Sequence, residues 1–240
     1  MRWLADHYFA EGPGIPKDAP KLKGLALVVE TMWREGTELM KLNLIFVLAC
    51  LPVVTIPAAY AALMRVALTM AEDRNVYLVE DFLSAFRQHA LKATLLALAL
   101  CVLIAIPAAA AYAYAGLAPE SLLYALPLAL SAGVAILFLV AGCYAFALLV
   151  ASSLDLGAIV RLALLAALAR PARPLAALSF VAGMWLIHIL FYPVTLVMPA
   201  IINFAFGALA VAFSVLEPVN RLVRAQEERA VEAEQAMSGA

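Results

Sequence analysis

The chain has 240 residues, of which 66% are apolar and 14% charged, with mean hydropathy +0.98 and net charge −1. Water-soluble domains are nearer half apolar and a quarter charged, so an aqueous globular fold is excluded, and there is no basic field to hold nucleic acid. The 33 charged residues avoid 42–64, 93–154 (except Glu120) and 175–216, which together hold 126 uncharged residues. This is the pattern of an all-helical, polytopic membrane bundle in one domain's length of chain.

Residues 1–21 carry Gly12, Pro13, Gly14, Pro16 and Pro20 and read as an irregular lead-in without the pattern of a signal peptide. Residues 22–224 form a single membrane domain, and 225–240 a polar tail that continues a helix and then frays. In 25–41, Leu25, Val28, Val29, Met32 and Trp33 recur at helical spacing opposite Glu30, Arg34, Glu38 and Lys41. In 78–90, Val79, Phe82, Leu83 and Phe86 oppose Glu80, Asp81, Ser84 and Arg87. A third segment, 155–170, has Asp155 as N-cap and Pro171 as its stop. Each precedes a long apolar tract, so each is predicted to be an amphipathic helix lying in the plane of the interface against membrane lipids.

A spanning helix needs about 20 apolar residues. The middle tract must therefore fold back, and Gly116-Leu-Ala-Pro119 is the expected turn, giving spans near 91–115 and 119–152. The last tract breaks at Tyr192-Pro193 through Pro199, giving spans near 173–192 and 198–222. The first tract, 42–64, is long enough for one span but contains Pro52 and Pro57. Cation bias decides between one span and two. Lys and Arg number six before residue 42, four in 65–92, three in 155–174 and three after 216, and none in 116–121 or 193–199. A hairpin with spans near 39–52 and 57–72 keeps all four cationic groups on one side. The expectation is six membrane helices in a bacterial inner membrane with both termini cytoplasmic; the alternative is five, with the N-terminus outside.

Polar residues at membrane depth are few. Arg65, midway along the second leg and level with Asn43, reads as an anion contact or charge gate, or as a structural arginine that caps carbonyls, pairs with Glu38 or snorkels; the structural role is favoured. His188, between Trp185 and Phe191-Tyr192, reads as a neutral interfacial histidine in an aromatic belt, since no second ligand stands at metal spacing. Asn43, Thr55, Thr195 and Asn203 read as hydrogen-bonding glue between helices, with Thr55 also repairing backbone freed by the proline break. Polar residues at a broken helix are also the mark of transporter binding sites. Cys50, Cys101 and Cys143 read as small apolar helix residues rather than a disulfide or zinc framework. No catalytic pattern, metal site or cofactor motif is present. A carrier coupled to protons or sodium would usually need a carboxylate at membrane depth, and none lies in 175–216.

The stretch Leu42-Asn-Leu-Ile-Phe-Val-Leu-Ala-Cys-Leu-Pro-Val-Val-Thr-Ile-Pro-Ala-Ala-Tyr-Ala-Ala-Leu63 resembles the signature of the YesL family of small bacterial membrane proteins. So do Asp81-Phe-Leu-Ser-Ala-Phe-Arg87 with Lys92-Ala-Thr-Leu-Leu, and Leu164-Leu-Ala-Ala-Leu-Ala-Arg-Pro171. The similarity runs over about residues 40–216. The matching positions are Asn43, Pro52, Thr55, Asp81, Phe82, Phe86, Arg87 and Pro171, whereas Pro57 replaces a glycine and Arg170 an asparagine of the family pattern. Asp81 and Arg87 are expected to order the in-plane helix and its junction with the next span. The family has no assigned function, and some members are encoded beside carbohydrate-uptake transporters. The resemblance therefore implies an accessory role in sugar import, with transporter subunits as partners, and supplies no catalytic residues. The expected function is that of a non-enzymatic accessory or scaffold protein, able to form homo-oligomers. The alternatives are a small facilitator or channel using the Pro52–Pro57 break and Arg65, and a lipid- or envelope-organising protein.

Overall fold

A computed structural model describes residues 24–119 and 121–238. The predicted lead-in at 1–21 lies outside them. Every regular element among the described residues is helical. In chain order these are α1 (Leu25–Arg34), α2 (Gly36–Ala49), a 3₁₀ turn (Val53–Thr55), α3 (Ile56–Ala71), α4 (Leu78–Leu117), a 3₁₀ turn (Leu122–Tyr124), α5 (Ala125–Ala151), α6 (Leu156–Ala169), α7 (Ala172–Leu190), a π turn (Pro199–Asn203) and α8 (Phe204–Ser238). Five helical segments are long and apolar enough to cross a membrane: Val53–Ala71, Leu78–Leu117, Leu122–Ala151, Ala172–Leu190 and Pro199–Arg229. The protein is thus a multi-pass membrane protein by helix length and composition.

The first apolar tract folds as an antiparallel hairpin. Thr55 shares its hydroxyl proton between the carbonyls of Ala49 (2.6 Å) and Pro52, which repairs the break at the tip as the proline bracket predicted. At the other end Arg34 reaches the Asp73 carboxylate at 2.7 Å, closing the two legs together. Asp73 ends α3 with φ of 56°, a left-handed conformation that short polar side chains tolerate. The leg α2 has 14 residues, about 21 Å of rise, so it is too short to span by itself.

Two predicted in-plane helices are corrected. The one over 25–41 is split at Glu35, and residues 36–41 belong to the first leg of the hairpin. The one over 78–90 does not exist as a separate element: it is the beginning of α4, a single 40-residue helix about 60 Å long. The change from amphipathic to wholly apolar near residue 91 alters the surroundings of the helix. No proline or glycine lies near that change to stop the backbone; the first in the helix is Pro107. The third segment is a separate helix, α6. Asp155 caps it by accepting from the Ala158 N–H at 3.2 Å, and Pro171 separates it from α7. It packs back on α5, where Tyr144 donates to the Arg170 carbonyl at 2.8 Å.

The centre of the bundle is α3, which packs on α4, α5 and α8. Its Ala59, Ala61, Ala62 and Ala67 have no exposed surface, and small residues of this kind let helix backbones approach closely. The fully buried Tyr144, Leu148 and Leu149 of α5 and Leu209 and Val215 of α8 complete the core. The charged ends of α1, α3, α4, α7 and α8 gather on one side. The 3₁₀ tip, the 118–121 turn and the 191–198 turn carry no cation.

Candidate functional site

Three polar nodes hold the bundle at depth. The first is Asn43, fully buried on α2. Its amide nitrogen donates to the carbonyls of Pro199 (2.9 Å) and Ala200 (2.7 Å), and its amide oxygen accepts from the N–H groups of Phe204 and Ala205, both at 2.9 Å. The π turn at 199–203 opens the regular ladder at the start of α8, and one side chain satisfies four of the freed groups. Phe46 packs on Phe204 one turn away, with ring centroids 5.1 Å apart. The glue role predicted for Asn43 is what this geometry provides.

Asn203 behaves differently. It is buried, yet neither its amide oxygen nor its amide nitrogen has a partner among the described residues. The expected bond to a neighbouring helix is not made.

The second node is the turn after α7. His188 Nδ1–H donates to the Thr195 carbonyl and the Thr195 hydroxyl returns a bond to the His188 carbonyl, both at 2.9 Å. The ring stands edge-on to Trp185 and Tyr192, with centroids 5.9 and 6.3 Å away. His188 therefore ties off a turn inside an aromatic group, and Thr195 serves the same turn rather than a neighbouring helix.

The third node is Arg65. Asn43 stands nine residues from the Arg34 end of the hairpin and Arg65 eight from the Asp73 end, so along the two legs they are level within about a turn. They do not meet. Arg65 Nη1 donates at 3.1 Å to the Val150 carbonyl, near the C-terminus of α5. That is the carbonyl-capping role; pairing with Glu38 does not occur, since Glu38 binds Lys41 at 2.7 Å. Lys92 holds the link that follows by donating to the Leu154 carbonyl at 3.3 Å. Arg65 thus meets the negative pole of α5.

Arg65 also lines a cleft of about 600 Å³ that opens at the charged end between α3, α4, α8 and the link from α5 to α6. His89, Gln88, Ser152, Asp81 and Glu227 are among its walls. Sequence reading missed His89 and the serines. Ser84 and His89 are three and eight residues from Asp81 on one helix, Ser152 and Ser153 lie in an extended link, and only the return of α5 to α4 brings them together.

Among the motif positions, Asp81 holds the first turn of α4 by accepting from the Tyr77 N–H at 2.9 Å. Phe82 and Phe86 stack with centroids 6.4 Å apart, Phe82 fully buried. Pro52 begins the tip, Pro171 precedes α7, and Arg87 is exposed. The three cysteines are free, Cys143 buried and Cys101 exposed. Elsewhere at the charged end, Arg170, Arg173 and Arg221 surround the Glu217 carboxylate, Arg173 at 2.6 Å.

A family model described as protein of unknown function, DUF624, matches residues 39–109. DUF624 is the family of YesL-like proteins. The DUF624 segment takes in most of α2, the tip, α3 and most of α4, and it contains Asn43, Arg65 and His89. Their partners Pro199, Phe204 and Val150 lie beyond it, as does the Leu164–Pro171 block. No curated protein and no solved structure matches the chain.

Proposed function

We propose that the protein is a non-enzymatic accessory or scaffold component of a bacterial inner-membrane transport system, carbohydrate uptake being the class its YesL-like blocks suggest. It makes six passages, with both termini cytoplasmic and the hairpin supplying the first two. The cation distribution supports this orientation, and so does the Arg34–Asp73 closure of the hairpin. Because α2 is short, the first passage is shallow and is accommodated by local thinning of the bilayer.

The observation that carries the reading is the closed interior beside a helix, α7, with a bare outer face. Between the Pro52–Pro57 tip and Arg65, residues Ala58, Ala59, Ala61, Ala62, Leu63 and Met64 are all buried in the core. A conduit using both features would have to pass through that packing, which disfavours the channel alternative. Meanwhile α7 leaves Leu186, Ile189 and Leu190 more than half exposed, a face that lipid or a permease helix can cover.

A photo-crosslinking amino acid in place of Ile189 in native membranes tests this. The expected result is an adduct with one transport permease, retained through mild-detergent purification. Lipid adducts alone, with a monodisperse monomer, would overturn the accessory role. Solute flux into liposomes that is abolished by Arg65→Ala would establish the facilitator in its place.

A further inference from the structure

We infer that the cleft around Arg65 and His89 is a binding site for a phosphate-and-ammonium zwitterion of the phosphoethanolamine type. Its volume of about 600 Å³ lies within the range of small-molecule sites. The inner part is built of donors. Arg65 is half-buried, spends one nitrogen on Val150 and lines the cleft, with further guanidinium donors not committed to any other protein group. His89 is 9% exposed and has no hydrogen-bond partner among the described residues. Its ring nitrogens are not sealed off from the cleft it lines, so they are open to a ligand there. Ser153 lines the same space, whereas Ser152 spends its hydroxyl proton on the Leu148 carbonyl at 2.7 Å, and the Lys92 ammonium stands at the edge on Leu154. Several convergent donors of mixed type suit a tetrahedral oxyanion better than a single carboxylate.

The outer part has the opposite sign. Asp81 is eight residues nearer the start of α4 than His89, about 12 Å toward the charged end. Glu227 is one turn beyond Val223 on α8, in the direction leaving the bundle. Asp81 keeps one carboxylate oxygen on the Tyr77 N–H, and Glu227 is exposed at the mouth. A ligand with its anion inward and its amine outward meets both halves. A phospholipid headgroup bearing ethanolamine has that polarity, since its phosphate is nearer the acyl chains than its amine. A water-soluble phosphoethanolamine ester has the same chemistry. This inference does not depend on the accessory role.

The test uses the full chain purified in detergent. In one arm, calorimetry measures sn-glycero-3-phosphoethanolamine against glycerol 3-phosphate and ethanolamine. In the other, native mass spectrometry after reconstitution in equal parts phosphatidylethanolamine, phosphatidylglycerol and phosphatidylcholine measures which lipid stays bound. Saturable binding of the soluble ester, at least tenfold tighter than either half-ligand, supports the site with a soluble source. Selective retention of phosphatidylethanolamine supports it with a lipid source. Glu227→Gln, an exposed change outside the core, is expected to reduce either selectivity about tenfold, and His89→Gln to weaken binding of the zwitterion. Should His89→Gln fail to fold, the wild-type selectivity series stands by itself. Equal retention of all three lipids without soluble binding, or phosphate binding indifferent to the amine, overturns the proposal.

Discussion

The helices that cross the apolar region fall into two groups. In α3, α5 and α8, 61%, 61% and 56% of the most apolar window is buried; in α4 and α7 the shares are 17% and 11%. Hydropathy does not separate them, for α4 is among the most hydrophobic and among the least buried. In lipid an apolar surface reports the solvent, and the core is defined by contact and by polar pins. The pins run between the hairpin and α5 or α8: Asn43 to the start of α8, Arg65 to Val150 of α5 and, at the charged end, Asn220 of α8 donating to Glu72 at 3.3 Å. Of the two less buried helices, α7 has its polar ties at its ends, through Arg173 to Glu217 and through its closing turn.

The comparison breaks most sharply at Asn43. Asn43→Leu keeps the forked outline of the side chain and removes four hydrogen bonds to backbone groups of the π turn at a fully buried position. The expected loss is about 3 kcal/mol, read from reversible unfolding in mixed micelles. Swapping an exposed α7 residue, as in Ile189→Leu, should leave the midpoint unchanged. Equal effects at the two positions would dissolve the distinction between core and flank.

This node also marks what was legible in the sequence. The membrane class followed from charge-free tracts, and the turns at Pro119 and Pro193–Pro199 from backbone chemistry. The proline-bracketed tip and its repair by Thr55 were likewise local, because the stretch from Ala49 to Thr55 contains the whole device. The continuity of α4 was not legible, since amphipathicity describes surroundings and residues 78–106 contain no residue that obliges a break. Nor was the pairing of Asn43 with groups 156 to 162 positions away, or the convergence of Arg65 with Val150. Those depend on which tracts pack together. An apolar stripe on every face of a helix gives no directional information about that.

A smaller effect sharpens the packing side of the comparison. Ala62 on α3 is fully buried, whereas Ala176 on α7 is exposed. Ala62→Leu must push three added carbons into close-packed helices and is expected to cost about 2 kcal/mol in the same unfolding measurement. Ala176→Leu adds the same carbons toward lipid and should stay within about 0.5 kcal/mol of the parent. If Ala62→Leu were neutral, the α3 core would contain room that the observed burial denies.

The smallest contrast lies in two glycines of similar helical setting, where the sign rather than the size is diagnostic. A β-carbon on Gly207 of α8 would come within 3.0 Å of Val181 Cγ2 on α7, whereas one on Gly133 of α5 meets nothing within 4 Å. Alanine at either site recovers about 0.5–1 kcal/mol of helix propensity. At Gly133 that gain is unopposed, so Gly133→Ala should raise the unfolding midpoint slightly. At Gly207 the obstructing methyl belongs to a β-branched residue with one strongly preferred rotamer in a helix, so it yields only by moving the α7 backbone. Gly207→Ala should therefore lower the midpoint and loosen α7 from α8, which faster labelling of a cysteine introduced at residue 177, buried at that contact, would report. A rise in stability at both glycines would mean that α7 is attached by its ends alone, and that the bare helix is free along its whole length for a partner to take.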